Sequence, residues 1–268
     1  MESFVRPSTD AGGPGPGAAA SPDRAFQVDF REVTLAGSVY FIPAYAMRRP
    51  ACQMFLNGKV YEPLTHLLVA EILKHHPGDM VHAGTFFGDM LPAFSAACPG
   101  TVYAFEPVLE NYVLAKLCVE RNGLGNVLLW NAGLGDRLSV ARIETATPSG
   151  AHHGGGSHIA EAASAAQSGQ TTSVVPIDML GLDEVALIQL DVEGFELNAL
   201  RGAGATIARC RPIVLAEDNA KSCAPLLQAA GYAFAGRIPG LDAWAPADKV
   251  DALAASVRAL TEARPQGR

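Results

Sequence analysis

The sequence predicts an α/β domain built on a mostly parallel sheet with helices on both faces, and three observations lead to it. From Met80 onward, short apolar runs of strand length alternate with helix-length amphipathic segments, the pattern of repeated βαβ units. The best-defined run, Val185 to Leu190, is apolar almost throughout rather than alternating, as expected of a strand buried on both faces. The third is punctuation: a Gly-containing turn, GTFFG, follows the run Met80 to Ala83, and acidic residues follow several later runs.

Residues 1–24 include STDAGGPGPGAAASPD, too poor in apolar surface to offset the entropy of ordering, and are expected to be disordered. Residues 25–78 read as a lead-in. Within it, Phe26 to Tyr45 looks like two strands around Ala36-Gly37, a hairpin, and residues 64–74 carry a helical stripe at Leu64, Leu67, Leu68 and Ile72. Residues 79–268 are the main domain. Its first strand, Met80 to Ala83, passes through the turn Gly84 to Gly88 into a helix ending near Ala97. Thr101 to Phe105 and Asn126 to Trp130 read as the next strands, separated by a helix over residues 109–121 that stops at Asn122-Gly123. After Val185 to Leu190, a helix is predicted from Gly194 to about Ala208, and Ile213 to Ala216 is another strand. A helix at Ala224 to Ala230, the strand-like runs YAFAGRI and DAWAP, and a last helix over 248–263 complete the chain.

One segment breaks the rhythm. Residues 146–171, ATPSGAHHGGGSHIAEAASAAQSGQT, form a long insertion between the strand-like runs LSVARI and TSVVPI. Loops of that length are functional or disordered. A flexible insertion, formed as the tip of an extended hairpin, is the expectation, with an active-site lid as the alternative. His152, His153 and His158 lie in it among glycines, with no patterned Cys or acid to make a metal site.

The formal charge is −7, with no Lys/Arg block, which argues against nucleic acid or anionic membrane as partner. No apolar run reaches the roughly 18 residues of a membrane span. No apolar h-region opens the sequence, and the five cysteines show no CxxC pair. Together these predict a cytoplasmic protein with reduced thiols. Oligomeric state has no signature.

The chemistry-bearing residues cluster at the ends of the apolar runs. Glycines at 84 and 88 permit close approach of a ligand, and N–H groups at the start of the following helix can face an anion. Glu106 follows about 20 residues later at a strand end, where a carboxylate meets ribose hydroxyls in open α/β folds. Asp191 and Glu193 end one later strand and Glu217 and Asp218 end the next, so four carboxylates are expected at one rim. Capping is the competing reading, and Glu196 is expected on the surface of a first helical turn. Glu62, in VYEPL, is a candidate for closing over the site or for packing.

VHAGTFFGD, YAFEPVLENYVLAKLCVERNGL, LWNAGLGD, LIQLDVEGFELNALRGA and PIVLAED, in this order over roughly residues 60–220, resemble the FkbM-type S-adenosylmethionine-dependent methyltransferases. The resemblance implies a class I methyltransferase fold: a Rossmann-like three-layer sandwich with a seven-stranded sheet, its last pair antiparallel, here with an N-terminal hairpin extension. It also implies methyl transfer, typically to a hydroxyl of a sugar or other small molecule. Carried over, it places His82, Gly84, Thr85 and Gly88 around the methionine portion of the cofactor and Glu106 with Pro107 at its ribose. Asn131 and Ala132 would lie at the adenine, and Asp191 beside the methyl group. Asp191, Glu193 and Glu217 are the catalytic candidates, as a general base or as a Mg²⁺ site, a choice the residues leave open. Two positions depart from the family pattern: His82 stands where Asp is usual, and Gln189 where Lys commonly precedes the acidic segment. An NAD-dependent oxidoreductase and a non-catalytic nucleotide-binding module of the same fold are the alternatives.

Overall fold

The computed structural model describes residues 5–7, 26–146, 152–160 and 169–263. Of the tail expected to be disordered, Val5–Pro7 (β1) is described and runs parallel to the start of β2, Val28–Leu35. The rest of residues 1–24 lies outside the described set. β2 turns back into β3, Ser38–Pro43, through Ala36 and Gly37 at φ 51° and 83°, the two-residue type I′ geometry of a tight hairpin. A short helix α1, Pro50–Leu56, follows and had no periodicity long enough to predict, although Pro at its first position suits a helix start. α2, Pro63–His75, buries Leu68 and Ile72 of the predicted stripe, with Val69 and Leu73 beside them, while Leu64 is half-buried and Leu67 faces solvent.

The main domain then alternates as expected. β4 (Asp79–Ala83), α3 (Leu91–Ala97), β5 (Val102–Phe105), α4 (Leu109–Arg121) and β6 (Val127–Trp130) form its first half. The insertion is bounded by four strands: β7 (Gly133–Leu134), β8 (Ser139–Glu144), β9 (His158–Ala160) and β10 (Gln170–Val175). They make a small sheet in the order β7-β10-β8-β9, and β8 and β10 are the antiparallel arms of the extended hairpin. The second half comprises β11 (Val185–Leu190), α5 (Glu196–Arg201), α6 (Gly204–Cys210), β12 (Ile213–Ala216) and α7 (Ala224–Ala229). β13 (Tyr232–Ile238), β14 (Leu241–Pro246) and α8 (Val250–Glu262) end it.

The seven main strands lie in the order β13-β14-β12-β11-β4-β5-β6, with β14 antiparallel to both its neighbours. This is the three-layer architecture and antiparallel last pair that the resemblance implies. One face packs α2, α3 and α8 over Met80, Leu187 and Leu215. The other packs α5, α6 and α7 over Val81, Ile188 and Val214. Strand order reverses between β4 and β11, so the loops after their carboxyl ends diverge and leave a crevice there. The single helix predicted from Gly194 to Ala208 is two, because Gly202 interrupts it. Its carbonyl accepts the Asp178 N–H at 2.8 Å, and a Cβ on it would come within 1.9 Å of the Gly135 oxygen.

The hairpin is fastened to the main domain by one side chain. Asn122, at the end of α4, offers its Oδ1 to the Val39 N–H (2.8 Å) and its amide to the Val39 carbonyl (2.7 Å), imitating a third strand. Phe55, Phe87, Leu114 and Cys118 fill the space between hairpin, α1 and α4. Each large apolar side chain buried there contributes roughly 1.5–3 kcal/mol. The consequence for function is positional: Tyr45 and Arg49, just after the hairpin, are brought against Asn111 and the insertion residues 152–156. Cys52, Cys98, Cys118 and Cys223 are buried free thiols. Among the described residues no helix is long and apolar enough to cross a membrane.

Candidate active site

The bend after β4 is dictated by contact. Gly84 has φ 92°, and a Cβ there would lie 1.9 Å from the Asp191 carbonyl oxygen, so no other residue lets β4 and β11 end side by side. The Gly84 and Thr85 N–H groups both donate to the Phe105 carbonyl, and the Asp191 N–H donates to Ala83. Three strand ends are thereby clamped around one point. Phe86 follows at φ 50°, a conformation costing on the order of 1–3 kcal/mol in a bulky residue. Its N–H donates to Glu106 Oε2 at 2.7 Å, which holds the bend in place.

Beside the bend lies a narrow crevice, partly open to solvent. Glu106, Pro107, Asp191 and Val192 line it together with Gly84, Ala132 and Ile143. Glu106 is buried and faces the bend. Its Oε1 accepts the Val108 N–H at 2.9 Å and the Asn111 amide at 3.3 Å, besides the Phe86 bond on Oε2. A carboxylate has about four acceptor positions, so one is left, on Oε2. Burial pushes its pKa up to about 7, against the lowering effect of those three bonds.

At Asp191 two carboxyl groups meet. Asp191 is held well above the usual carboxylate range by burial, then by a hydrogen bond with Glu217 and by that group's charge, with Glu62 adding to it. Two carboxyls this close disfavour a second negative charge, which keeps Asp191 protonated to a higher pH than an isolated carboxyl. Glu62, at φ 46° at the start of α2, accepts the Thr65 hydroxyl at 3.1 Å, and burial raises its pKa too. Asp89, in the bend, is pushed up to about 7 by burial and then by Glu62.

The four carboxylates expected at one rim are only partly assembled. Asp191 and Glu217 meet, and Glu193, at φ 53° and exposed, lies within electrostatic reach of Asp191. Asp218 turns away and caps α7, accepting the Ser222 and Cys223 N–H groups at 2.9 and 2.8 Å. Glu62 takes the place in the cluster that Asp218 was expected to fill. Glu196 is a further correction: it is buried, not on the surface, and accepts the Val192 and Gly194 N–H groups at 3.1 and 3.2 Å. Burial follows because it closes the strained turn Val192-Glu193-Gly194 from within. Among the described residues no group of three or more His, Cys, Asp or Glu side chains is arranged to hold a metal ion.

Other predicted residues act on the frame of the crevice. His82 is buried within the sheet, where its Nδ1 hydrogen-bonds Gln189 Oε1 and its ring meets the edge of Phe94. The two departures from the family pattern are therefore cross-strand partners, in register between β4 and β11. Burial lowers the His82 pKa to about 4, so a neutral pair spans the sheet beneath the bend. Thr85 is buried and donates its hydroxyl to the Phe105 carbonyl at 3.1 Å. Gly88 faces α4, where a Cβ would come within 3.2 Å of Ala115 and Cys118. Asn131 lies outside the crevice wall and ties down the Glu106 and Pro107 carbonyls at 3.0 and 3.3 Å.

Sequence reasoning did not single out Asn111, Ile143 or the insertion residues that complete the wall, nor Tyr45, whose hydroxyl donates to Asn111. Residues 152–160 of the insertion are seated against the domain, and Gly154, Gly155, Ser157 and Ile159 line the same crevice as Glu106. Residues 147–151 and 161–168 lie outside the described set. Of the three insertion histidines, His152 leaves the expected solvated loop and packs against Tyr45, the rings tilted by 47° with centres 4.3 Å apart. No sequence pattern announces a wall made of glycine backbone.

The model of the Methyltransferase FkbM domain family matches residues 81–232, more than half of the chain. No curated protein matches the chain. Solved structures similar to it include a methyltransferase FkbM from Methylobacillus flagellatus KT, at 18% identity and TM-score 0.45 over 63% of this chain and 44% of that one. A methyltransferase from Geobacter sulfurreducens is similar at 15% identity and TM-score 0.44 over 75% and 87%. An O-methyltransferase from Bacillus cereus in complex with SAH is similar at 10% identity and TM-score 0.42 over 69% and 80%. The match thus spans less than half of the Methylobacillus protein.

Proposed function

The chain belongs to the FkbM methyltransferase domain family, and from that premise we propose that it transfers a methyl group from S-adenosylmethionine to a hydroxyl oxygen of a small molecule or sugar. The observation that carries this reading is the pairing of two unlike acidic groups in one crevice, at the point where strand order reverses.

The crevice fits the cofactor on its own chemistry. Glu106 has one acceptor position open for a ribose hydroxyl, and Ala132 with Ile143 offers an apolar surface beside it. Gly84 keeps its part of the wall free of side-chain atoms. When bound, S-adenosylmethionine supplies a methyl group already activated by its sulfonium. What remains for the chain is to align the acceptor, exclude water and receive a proton. Alignment of this kind is worth roughly 7–11 kcal/mol. Asp191, its proton affinity raised by burial and by Glu217 beside it, can accept the acceptor's O–H proton as the new C–O bond forms. The direct contact between these two carboxyls supports Asp191 as the base.

Calorimetric titration tests the reading. S-adenosylhomocysteine should bind and NAD should not, and Glu106→Ala should weaken the former. Binding of NAD in its place would favour an oxidoreductase, and binding of neither would leave a non-catalytic module. The acceptor can be sought by incubating cell extracts with isotope-labelled methyl donor and identifying the labelled product by mass spectrometry. Label on nitrogen or carbon would overturn the choice of oxygen.

A further inference from the structure

We infer that residues 152–160 are part of the cofactor site itself: a glycine strap that forms the outer wall for the planar, purine end of the ligand and is linked to Glu106. The inference rests on the S-adenosylmethionine reading and extends it to residues outside the family-typical segments.

The strap is built for close contact. Gly154, Gly155 and Gly156 form one 3₁₀ turn. Gly154 has φ 58°, and a Cβ on it would come within 2.9 Å of the Ala46 Cβ and 3.0 Å of the Arg49 Cγ. On Gly155 it would come within 3.1 Å of the Phe86 ring, and on Gly156 within 2.4 Å of the Arg49 guanidinium. The turn therefore presses bare backbone against the strained Phe86 and the segment after the hairpin. Past the turn, Ile159 takes the space that a side chain at Gly133 would fill, its Cδ1 lying 3.1 Å from where that Cβ would be. Ile159, Ile143, Pro107 and Ala132 leave an apolar slot with Glu106 at its end. Such a slot suits a flat heteroaromatic ring whose attached sugar reaches a carboxylate.

A continuous set of contacts joins strap and acid. Asn111 donates to Glu106 Oε1 at 3.3 Å, and the Tyr45 hydroxyl donates to Asn111 Oδ1 at 2.7 Å. The Tyr45 ring packs at a tilt against His152, whose Nδ1 accepts the Gly154 N–H at 2.9 Å. Ligand held by Glu106 and ligand held by the strap are thus held by one connected structure.

Hydrogen exchange with S-adenosylhomocysteine tests this without any substitution. Amides of residues 152–160 should gain protection on saturation, together with those of the bend at 84–90, while β13 and β14 should not change. Ile159→Ser should weaken S-adenosylhomocysteine binding about tenfold, a change of roughly 1.4 kcal/mol. Tyr45→Phe, which keeps the ring and removes the hydroxyl, should weaken it about threefold and reduce the protection gained by the strap. If the wild type binds and protects the bend but leaves 152–160 unprotected, the strap inference is overturned and the cofactor reading survives. If the wild type does not bind, the cofactor reading itself has failed.

Discussion

Glu106 and Asp191 line one crevice, both with raised pKa, Glu106 buried and Asp191 half-buried, yet they are held in opposite ways. Glu106 is surrounded by donors: two backbone N–H groups and one amide fix both of its oxygens. Asp191 is surrounded by acids, with Glu217 hydrogen-bonded to it and Glu62 nearby. The first arrangement fixes a carboxylate in space and leaves it one acceptor to offer, which is a binding role. The second raises the affinity for a proton, which is an acid–base role. Burial alone does not distinguish them; the neighbours do.

The most demanding test of this contrast is at Asp191. Asp191→Asn should lower turnover by about 10²–10⁴-fold, the usual contribution of a general base, while the S-adenosylhomocysteine Kd changes by less than about twofold. Equal losses in both would mean that Asp191 is structural. Next in size is the pH dependence of stability. Glu106 and Asp89 have folded pKa values raised to about 7, so between about pH 4.5 and 7 the folded state binds more protons than the unfolded. Stability should therefore fall as pH rises through that window and level off above it. Each group accounts for on the order of 3 kcal/mol. Thermal denaturation from pH 4.5 to 8 should show the decline, and Asp89→Asn should reduce its slope. An unchanged slope would refute the buried-acid account.

Glu106→Ala should weaken S-adenosylhomocysteine binding about 10- to 100-fold, or roughly 1.4–2.7 kcal/mol, and an unaltered titration would remove the binding role. The smallest effect belongs to Glu196, which, like Glu106, is a buried acceptor of two backbone N–H groups but is not among the residues lining the crevice. Glu196→Ala should cost about 1–2 kcal/mol of stability and leave cofactor affinity near wild type. A loss matching that of Glu106→Ala would show that any buried carboxylate here matters and would erase the comparison.

Much of this was legible before the fold. The run Val185 to Leu190 reads as a core strand because apolar residues on both faces have no other stable place. Glu106 is legible because a Gly bend and a strand-end acid recur at fixed chain distance. Asp218 and Glu217 are adjacent in sequence, and nothing local indicates that one caps a helix while the other meets Asp191. Glu196 looks like ordinary first-turn acid because a side chain that turns back onto Val192 leaves no trace in periodicity.

The sequence by itself determined the order of the seven main strands along the chain and the bend at Gly84, since periodicity, turn chemistry and steric limits act over a few residues. It also marked the acids at the strand ends. Only the tertiary structure decided which acids meet, that His82 and Gln189 face each other as a neutral pair, and that residues 154–159 line the same crevice as Glu106. Those outcomes depend on contacts between residues far apart in the chain, where the deciding quantity is the distance left between packed elements.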